Sequence, residues 1–217
     1  MTRLDSPETT EFVNVYANGR RTQRVLAVAS PLQATDVPPD LAAAGLALLG
    51  PVIGEVENGV RSRLQGRVGV GAQGWLRRRS ADGGVAFAPW SGDAALEGSL
   101  AVFASAEDAP EAEMPGLIAR WSRRVPFVLV TAGADGGDAY IEGREARIPA
   151  FPATEVDPTG AGDVFAAAFL ARYAETSDPY ESIEFAAAAA ACSVEGVGTA
   201  RVPDRAAIAA RREVKDG

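Results

Sequence analysis

The run Pro126-Phe127-Val128-Leu129-Val130-Thr131 carries no charge and meets its first polar side chain only at the end. It is too short for a helix and does not alternate. Such a run is a strand buried on both faces, which requires a sheet covered by helices on both sides. The flanking sequence agrees. Glu111 to Arg123 has helical spacing through Met114, Leu117, Ile118 and Trp121, and Arg67 to Val70 and Leu100 to Ala104 read as further strands. Tyr140-Ile141 and Ala146-Arg147-Ile148 flank Glu142-Gly143 as a hairpin. A helix is expected from about Ala161 to Ala174. Asp178-Pro179-Tyr180-Glu181 then reads as a capping box with proline at the first helical position. The helix it opens, with its body from Phe185 to Val194, is apolar nearly all round and therefore buried, and Gly196 ends it. Strands alternating with helices, closing on two packed helices, predict a layered α/β fold with a largely parallel sheet.

Near the amino end, Phe12 to Tyr16 and Val25 to Ser30 are separated by Ala17-Asn18-Gly19-Arg20, a β-hairpin signal. We read residues 1–35 as a segment carrying this hairpin and 36–217 as the α/β domain. Leu41 to Leu49 runs into the punctuation of Gly50-Pro51.

What is missing from the composition narrows the chemistry. The chain has no histidine, which removes Ser-His-Asp, Cys-His and His-metal arrangements. Its single cysteine, Cys192, can form neither an internal disulfide nor a zinc cluster and suits a cytoplasmic protein. The sole lysine, Lys215, lies at the end of the chain, so a P-loop lysine is excluded. A net charge of -8 argues against nucleic acid or an anionic membrane as partner. Carboxylates and backbone amides are left to carry any reaction.

Asp157-Pro158-Thr159-Gly160-Ala161-Gly162-Asp163 can do this. The first turn of a helix has N–H groups without internal partners and a partial positive charge. Glycines let a phosphate approach those amides without obstruction. Asp163, in the same turn, can accept the proton of a hydroxyl as its bond to phosphorus forms. The plainer alternative is an acid complementing the helix dipole, with Asp157 or Thr159 as a cap.

The stretch Asp157 to Phe165 resembles the C-terminal signature of the ribokinase-like (PfkB) carbohydrate kinases, and the resemblance covers Val128 to Pro203 and, more faintly, extends back to about Phe12. It implies a ribokinase-like fold with a small β-hairpin lid remnant, and ATP-dependent phosphorylation of a sugar or sugar-like hydroxyl. Asp163 would be the base and the amides of Gly160, Ala161 and Gly162 the anion hole. Asp157 and Thr159 match positions that help hold a monovalent cation such as K⁺. Thr131-Ala132-Gly133-Ala134-Asp135-Gly136 is similar to the family's nucleotide segment, implying donor contacts at Thr131, Gly133 and Gly136. Gly196 and Gly198 would form the other wall of the adenine pocket. Ser105-Ala106-Glu107-Asp108 stands where the family has Asn-x-x-Glu, so Asp108 would reach Mg²⁺ through water; a solvated acidic loop is the other account. Ala187 replaces a frequent asparagine near the base of the nucleotide.

Gln73-Gly74-Trp75-Leu76-Arg77 resembles a segment of some members but receives no role from the sequence. Trp75 reads as packing and Arg77-Arg78-Arg79 as a solvated basic turn. The family's opening strand, with its sugar-gripping aspartate and following Gly-Gly, has no match in the chain. The sequence therefore leaves open a short kinase that closes its sheet as a homodimer, a fragment of a full-length sugar kinase, or a non-catalytic nucleotide-binding regulatory relative. A nucleoside or vitamin-like acceptor is a third class.

Overall fold

The computed structural model describes residues 4–17 and 20–213, with side chains left aside at 15–17 and 20–22. Asn18 and Gly19 of the expected turn, and Lys215, lie outside the described residues.

Two strands, β1 (Glu11–Ala17) and β2 (Arg20–Ala27), pair antiparallel. The second begins earlier than its apolar run because the ladder with β1 extends to the turn, down to the pairing of Ala17 with Arg20. After α1 (Pro39–Ala42) come β3 (Leu46–Leu49) and β4 (Arg67–Gly71). A second hairpin follows, β5 (Arg77–Arg79) with β6 (Val85–Phe87). The arginine run expected as a turn is thus strand β5, stabilised by a ladder with residues that local sequence does not reveal. Arg24 bridges to Gly84, and Val25 N–H donates to Gly83 O at 2.8 Å, so the two hairpins are joined.

The remainder is α2 (Asp93–Leu96), β7 (Ala101–Ser105), α3 (Met114–Trp121), β8 (Phe127–Thr131), β9 (Gly137–Ile141), β10 (Arg144–Ile148), α4 (Ala161–Thr176), α5 (Pro179–Ser193) and α6 (Arg205–Glu213). The central sheet has 6 strands in the order β10-β9-β8-β7-β4-β3, with β3, β4, β7 and β8 parallel and β9 and β10 antiparallel. This is the layered, mostly parallel α/β fold that the sequence predicts.

Side chains alternate across the parallel strands and sort into two cores. Val68, Val70, Val102, Val128 and Val130 face one way, toward Leu117 and Trp121 of α3 and toward Trp75 and Trp90. Ala101, Phe103, Phe127 and Leu129 face the other, against Phe165, Phe169 and Leu170 of α4 and the alanines of α5. Both faces of β8 are therefore dry. Trp75 is buried and stacks on Trp90 with ring centroids 4.9 Å apart, so packing is its role.

Two local expectations need adjustment. Helix α3 begins at Met114, not Glu111, because Pro115 supplies no N–H and belongs in a first turn. Asp178 caps α5 by accepting from Tyr180 N and Glu181 N, but the reciprocal half of the box is missing. The Glu181 carboxylate instead receives Arg172 of α4 and Arg212 of α6. Helix α6, which the sequence reading passed over, adds one buried apolar side chain, Ile208.

The register places the C-terminal ends of β3, β4, β7 and β8 side by side, with Leu49 opposite Val70, Gly71 opposite Phe103 and Ser105 opposite Thr131. In open α/β sheets this crest is where ligands bind.

Candidate active site

Helix α4 opens at this crest. Gly160 is its N-cap, at φ 83° and ψ 0°, a left-handed conformation that a side chain would strain. No cap side chain bonds to the first turn. The Ala161 N–H is turned to Pro158 O at 3.2 Å, whereas among the described residues no acceptor takes the N–H groups of Gly160, Gly162 or Asp163. Of the expected anion-hole amides, Gly160 and Gly162 are thus open to a ligand, Asp163 adds its own, and Ala161 is occupied.

Asp163 is exposed at the crest. Its surroundings withdraw enough water to push the carboxyl above the usual carboxylate range. A Cβ placed on Gly50, just after β3, would stand 3.9 Å from Asp163 Oδ1. A carboxylate with a raised affinity for protons therefore sits beside free backbone donors at the crest.

Asp157 holds the loop together. Its Oδ1 accepts Thr159 N–H at 3.0 Å and its Oδ2 accepts Gly198 N–H at 3.1 Å. These bonds, chiefly those from Thr159, hold its carboxyl below the usual range. Val194 O accepts from both Val156 N and Asp157 N. The segment with Gly196 and Gly198 is thereby pinned beside the loop 157–163. Val156 and Val197 remain exposed there, the latter at 70%. Ala187 is buried in α5.

Thr131 ends β8 and its carbonyl accepts Ala106 N–H at 2.8 Å, which ties it to the turn after β7. Gly133 is exposed, with open space around it. Gly136 is buried at φ 76°, and a Cβ there would meet Ile148 O at 2.2 Å. Gly133 is available to a ligand; Gly136 serves the turn into β9.

Asp108 is neither solvated nor free. Its side chain is 2% exposed. Oδ1 accepts from Gln73 Nε2 at 3.0 Å and from Arg77 Nη2 at 3.4 Å, and Oδ2 accepts Ser105 N–H at 2.8 Å. Both carboxylate oxygens are thus engaged by protein donors, and the solvated-loop account of this acid does not hold. Among the described residues, no group of three or more acids, cysteines or histidines could hold a metal ion. Gln73 and Arg77 are the site-proximal residues that sequence reasoning left without a role. The available signal was polar side chains bracketing a buried tryptophan just after a strand.

Residues 100–205, which contain the loop 157–163, α4 and the Thr131 segment, match the pfkB family carbohydrate kinase description. These residues are those of the pfkB carbohydrate kinase family. Among curated members, the chain is 37% identical to the inositol 3-kinase of Zea mays over 160 residues, 73% of this chain and 41% of that one. It is 41% identical to the ribokinase of Bacillus subtilis over 71 residues, 33% of this chain and 24% of that one. The chain spans about two-fifths of the length of the inositol 3-kinases it matches. In structure it resembles a pyrophosphate-dependent myo-inositol-1 kinase converted by two substitutions into a myo-inositol-3 kinase, with a TM-score of 0.79 and 19% identity over 96% of this chain and 75% of that one. It also resembles the ribokinase of Thermotoga maritima, with a TM-score of 0.75 and 20% identity over 98% of this chain and 72% of that one. These likenesses make the fold ribokinase-like. No helix among the described residues is long and apolar enough to cross a membrane.

Proposed function

We propose that this chain transfers the terminal phosphoryl group of ATP to a hydroxyl of a sugar or cyclic polyol, with Asp163 as the base. The reading rests on one observation above all: a carboxylate of raised pKa in the same helical turn as backbone amides without partners. The acceptor hydroxyl would give its proton to Asp163 as the new O–P bond forms. The bond from the γ-phosphorus to its bridging oxygen breaks, and ADP leaves with that oxygen. The amides of Gly160 and Gly162 would steady the charge on the transferring group. Thr131 and Gly133 would line one side of the nucleotide, and the Gly196–Gly198 segment with exposed Val197 the other.

Mg²⁺ would arrive with the nucleotide phosphates, and no described residue is assigned to it. Asp157 and Thr159 would hold K⁺ beside the loop, where the carboxylate still has unused lone pairs and the cation would neutralise charge. A cyclic polyol acceptor is supported by the likeness to inositol 3-kinases. Strand β3 ends the sheet with Leu46, Ala47 and Leu48 only partly buried, and a homodimer through this apolar edge is the assembly it supports. A single monomeric species by sedimentation at high concentration would sink the dimer.

The activity test pairs ATP or pyrophosphate with ribose, fructose, myo-inositol and nucleosides and follows ADP or phosphate release. Acceptor-dependent release that collapses in Asp163→Asn supports the assignment. Unchanged turnover in that variant overturns it. ATP binding by calorimetry without release under any acceptor would favour the nucleotide-binding regulatory reading.

A further inference from the structure

The segment Gln73-Gly74-Trp75-Leu76-Arg77 sits where three parts of the molecule meet. Gln73 and Arg77 converge on Asp108, in the turn after β7. Gly74 lies against the backbone after β3, where an added Cβ would be 2.3 Å from Pro51 O. Pro51 follows Gly50, the residue next to the Asp163 carboxylate. Trp75 anchors the segment from below, donating Nε1–H to Val56 O at 2.8 Å and stacking on Trp90. Arg77 is also the first residue of β5, opposite Phe87 at the root of the second hairpin.

Above this junction is a cavity of about 940 Å³. One wall is lid, with Gln23, Arg24 and Phe87; the other is the turn after β7, with Glu107 and Asp108; Arg77 lies between them. We propose that Gln73, Arg77 and Asp108 form a latch that fixes the hairpin β5–β6 against the turn after β7 and sets the width of this cavity. Asp108 is on this view a positioning residue and not a metal-shell acid. Burial makes the latch stiff: the Arg77 and Asp108 side chains are only 12% and 2% exposed, so solvent screens the pair poorly. The Gly74–Pro51 contact keeps the same segment in fixed register with the Asp163 end of the crest. Loosening the latch should therefore disturb how an acceptor is held while leaving the proton-accepting group intact. The consequence for the acceptor rests on the kinase reading above; the latch itself does not.

The test compares Arg77→Lys, Asp108→Asn and the double variant by amide hydrogen exchange and steady-state kinetics. Exchange at residues 77–79 and 85–87 should quicken roughly ten-fold in each single variant, with little further change in the double, as expected of directly coupled residues. The acceptor KM should rise by a similar factor while kcat and the Mg²⁺ concentration for half-maximal rate stay put. Unchanged exchange in the hairpin overturns the latch. A raised Mg²⁺ requirement confined to Asp108→Asn overturns it too, in favour of a metal role. Should Asp108→Asn fail to fold, Arg77→Lys, which keeps the charge but loses the planar fork, carries the same test. If no acceptor is turned over, exchange alone decides, so the latch and the kinase reading can fail separately.

Discussion

The loop that opens α4 and the two hairpins hold their polar groups by opposite means. At the start of α4 the donors are backbone N–H groups, held by helix geometry and by a glycine at φ 83°. The helix beneath is seated in a core where Phe169 meets Phe103, Phe127 and Tyr173. The two short hairpins carry exposed apolar side chains such as Val13 and Leu26; the second is fastened through Arg77 to Asp108, and the first is joined to it at Arg24 and Val25. A site made of backbone is rigid and indifferent to neighbouring side-chain changes. One fastened by side chains can loosen through a single substitution. On the proposed reading, chemistry belongs to the first region and adjustable fit to the second.

The sharpest way to break this comparison is Asp163→Asn. If Asp163 is the base, kcat should fall by roughly 10²–10⁴ with little change in the nucleotide KM, measured by coupled ADP release. A comparable fall from a lid variant would erase the distinction. The wild-type rate should also rise with pH through a value above the ordinary aspartate pKa, since the base must be ionised. The same variant should gain stability at neutral pH. The sign follows from linkage: an acid whose folded pKa is raised lowers stability as pH rises from its unfolded value through its folded one. The gain in Asp163→Asn should therefore vanish below about pH 4 in urea titrations, where the aspartate is protonated in both states.

Next in size is core truncation. Phe169→Ala should cost about 3–5 kcal/mol in chemical denaturation, because the fully buried ring leaves a cavity between helix and sheet. Val13→Ala, at a half-exposed hairpin position, should stay within about 0.5 kcal/mol. Near-equal values would show that the lid is as tightly integrated as the helical layer. A smaller effect, about 1 kcal/mol, is expected of Asp178→Ala, which removes the cap from Tyr180 N and Glu181 N.

The smallest effect concerns the helical layer's surface. Arg205 and Arg172 hold the Glu175 carboxyl down at about 2. A depressed carboxylate contributes stability above its unfolded value, and that contribution is lost as pH falls from about 4.5 toward about 2. Glu175→Gln should flatten the acid limb of stability slightly in that window, and only at low salt, because the group is solvent-exposed. No flattening would mean that the ion pairs joining α4 and α6 are ornamental.

Much of the fold was legible for local reasons. The dry run at β8, the Glu142-Gly143 turn and the Asp178 cap each follow from rules acting within a few residues. The glycine-spaced loop was legible for the same reason, since helix-start donors depend on backbone alone. The capping box was over-read because Glu181 had a better offer: Arg172 and Arg212, reached only once α4 and α6 pack against α5. The Arg77 strand was missed because a three-residue strand is stabilised by its ladder with Val85–Phe87 and the neighbouring β2 hairpin, not by its own composition.

The sequence by itself determined the layered α/β class, the burial of β8 and the placing of Asp163 among helix-start amides. Those features arise from side-chain period and backbone geometry, which need no distant partner. Only the tertiary structure decided which expected groups are free. It turned Gly136 inward against Ile148 and engaged Asp108 with Gln73 and Arg77. Asp108 lies 35 residues from Gln73 and 31 from Arg77 along the chain. Whether a carboxylate at such a distance meets water, metal or guanidinium is set by the stacking of strands, which no local pattern encodes.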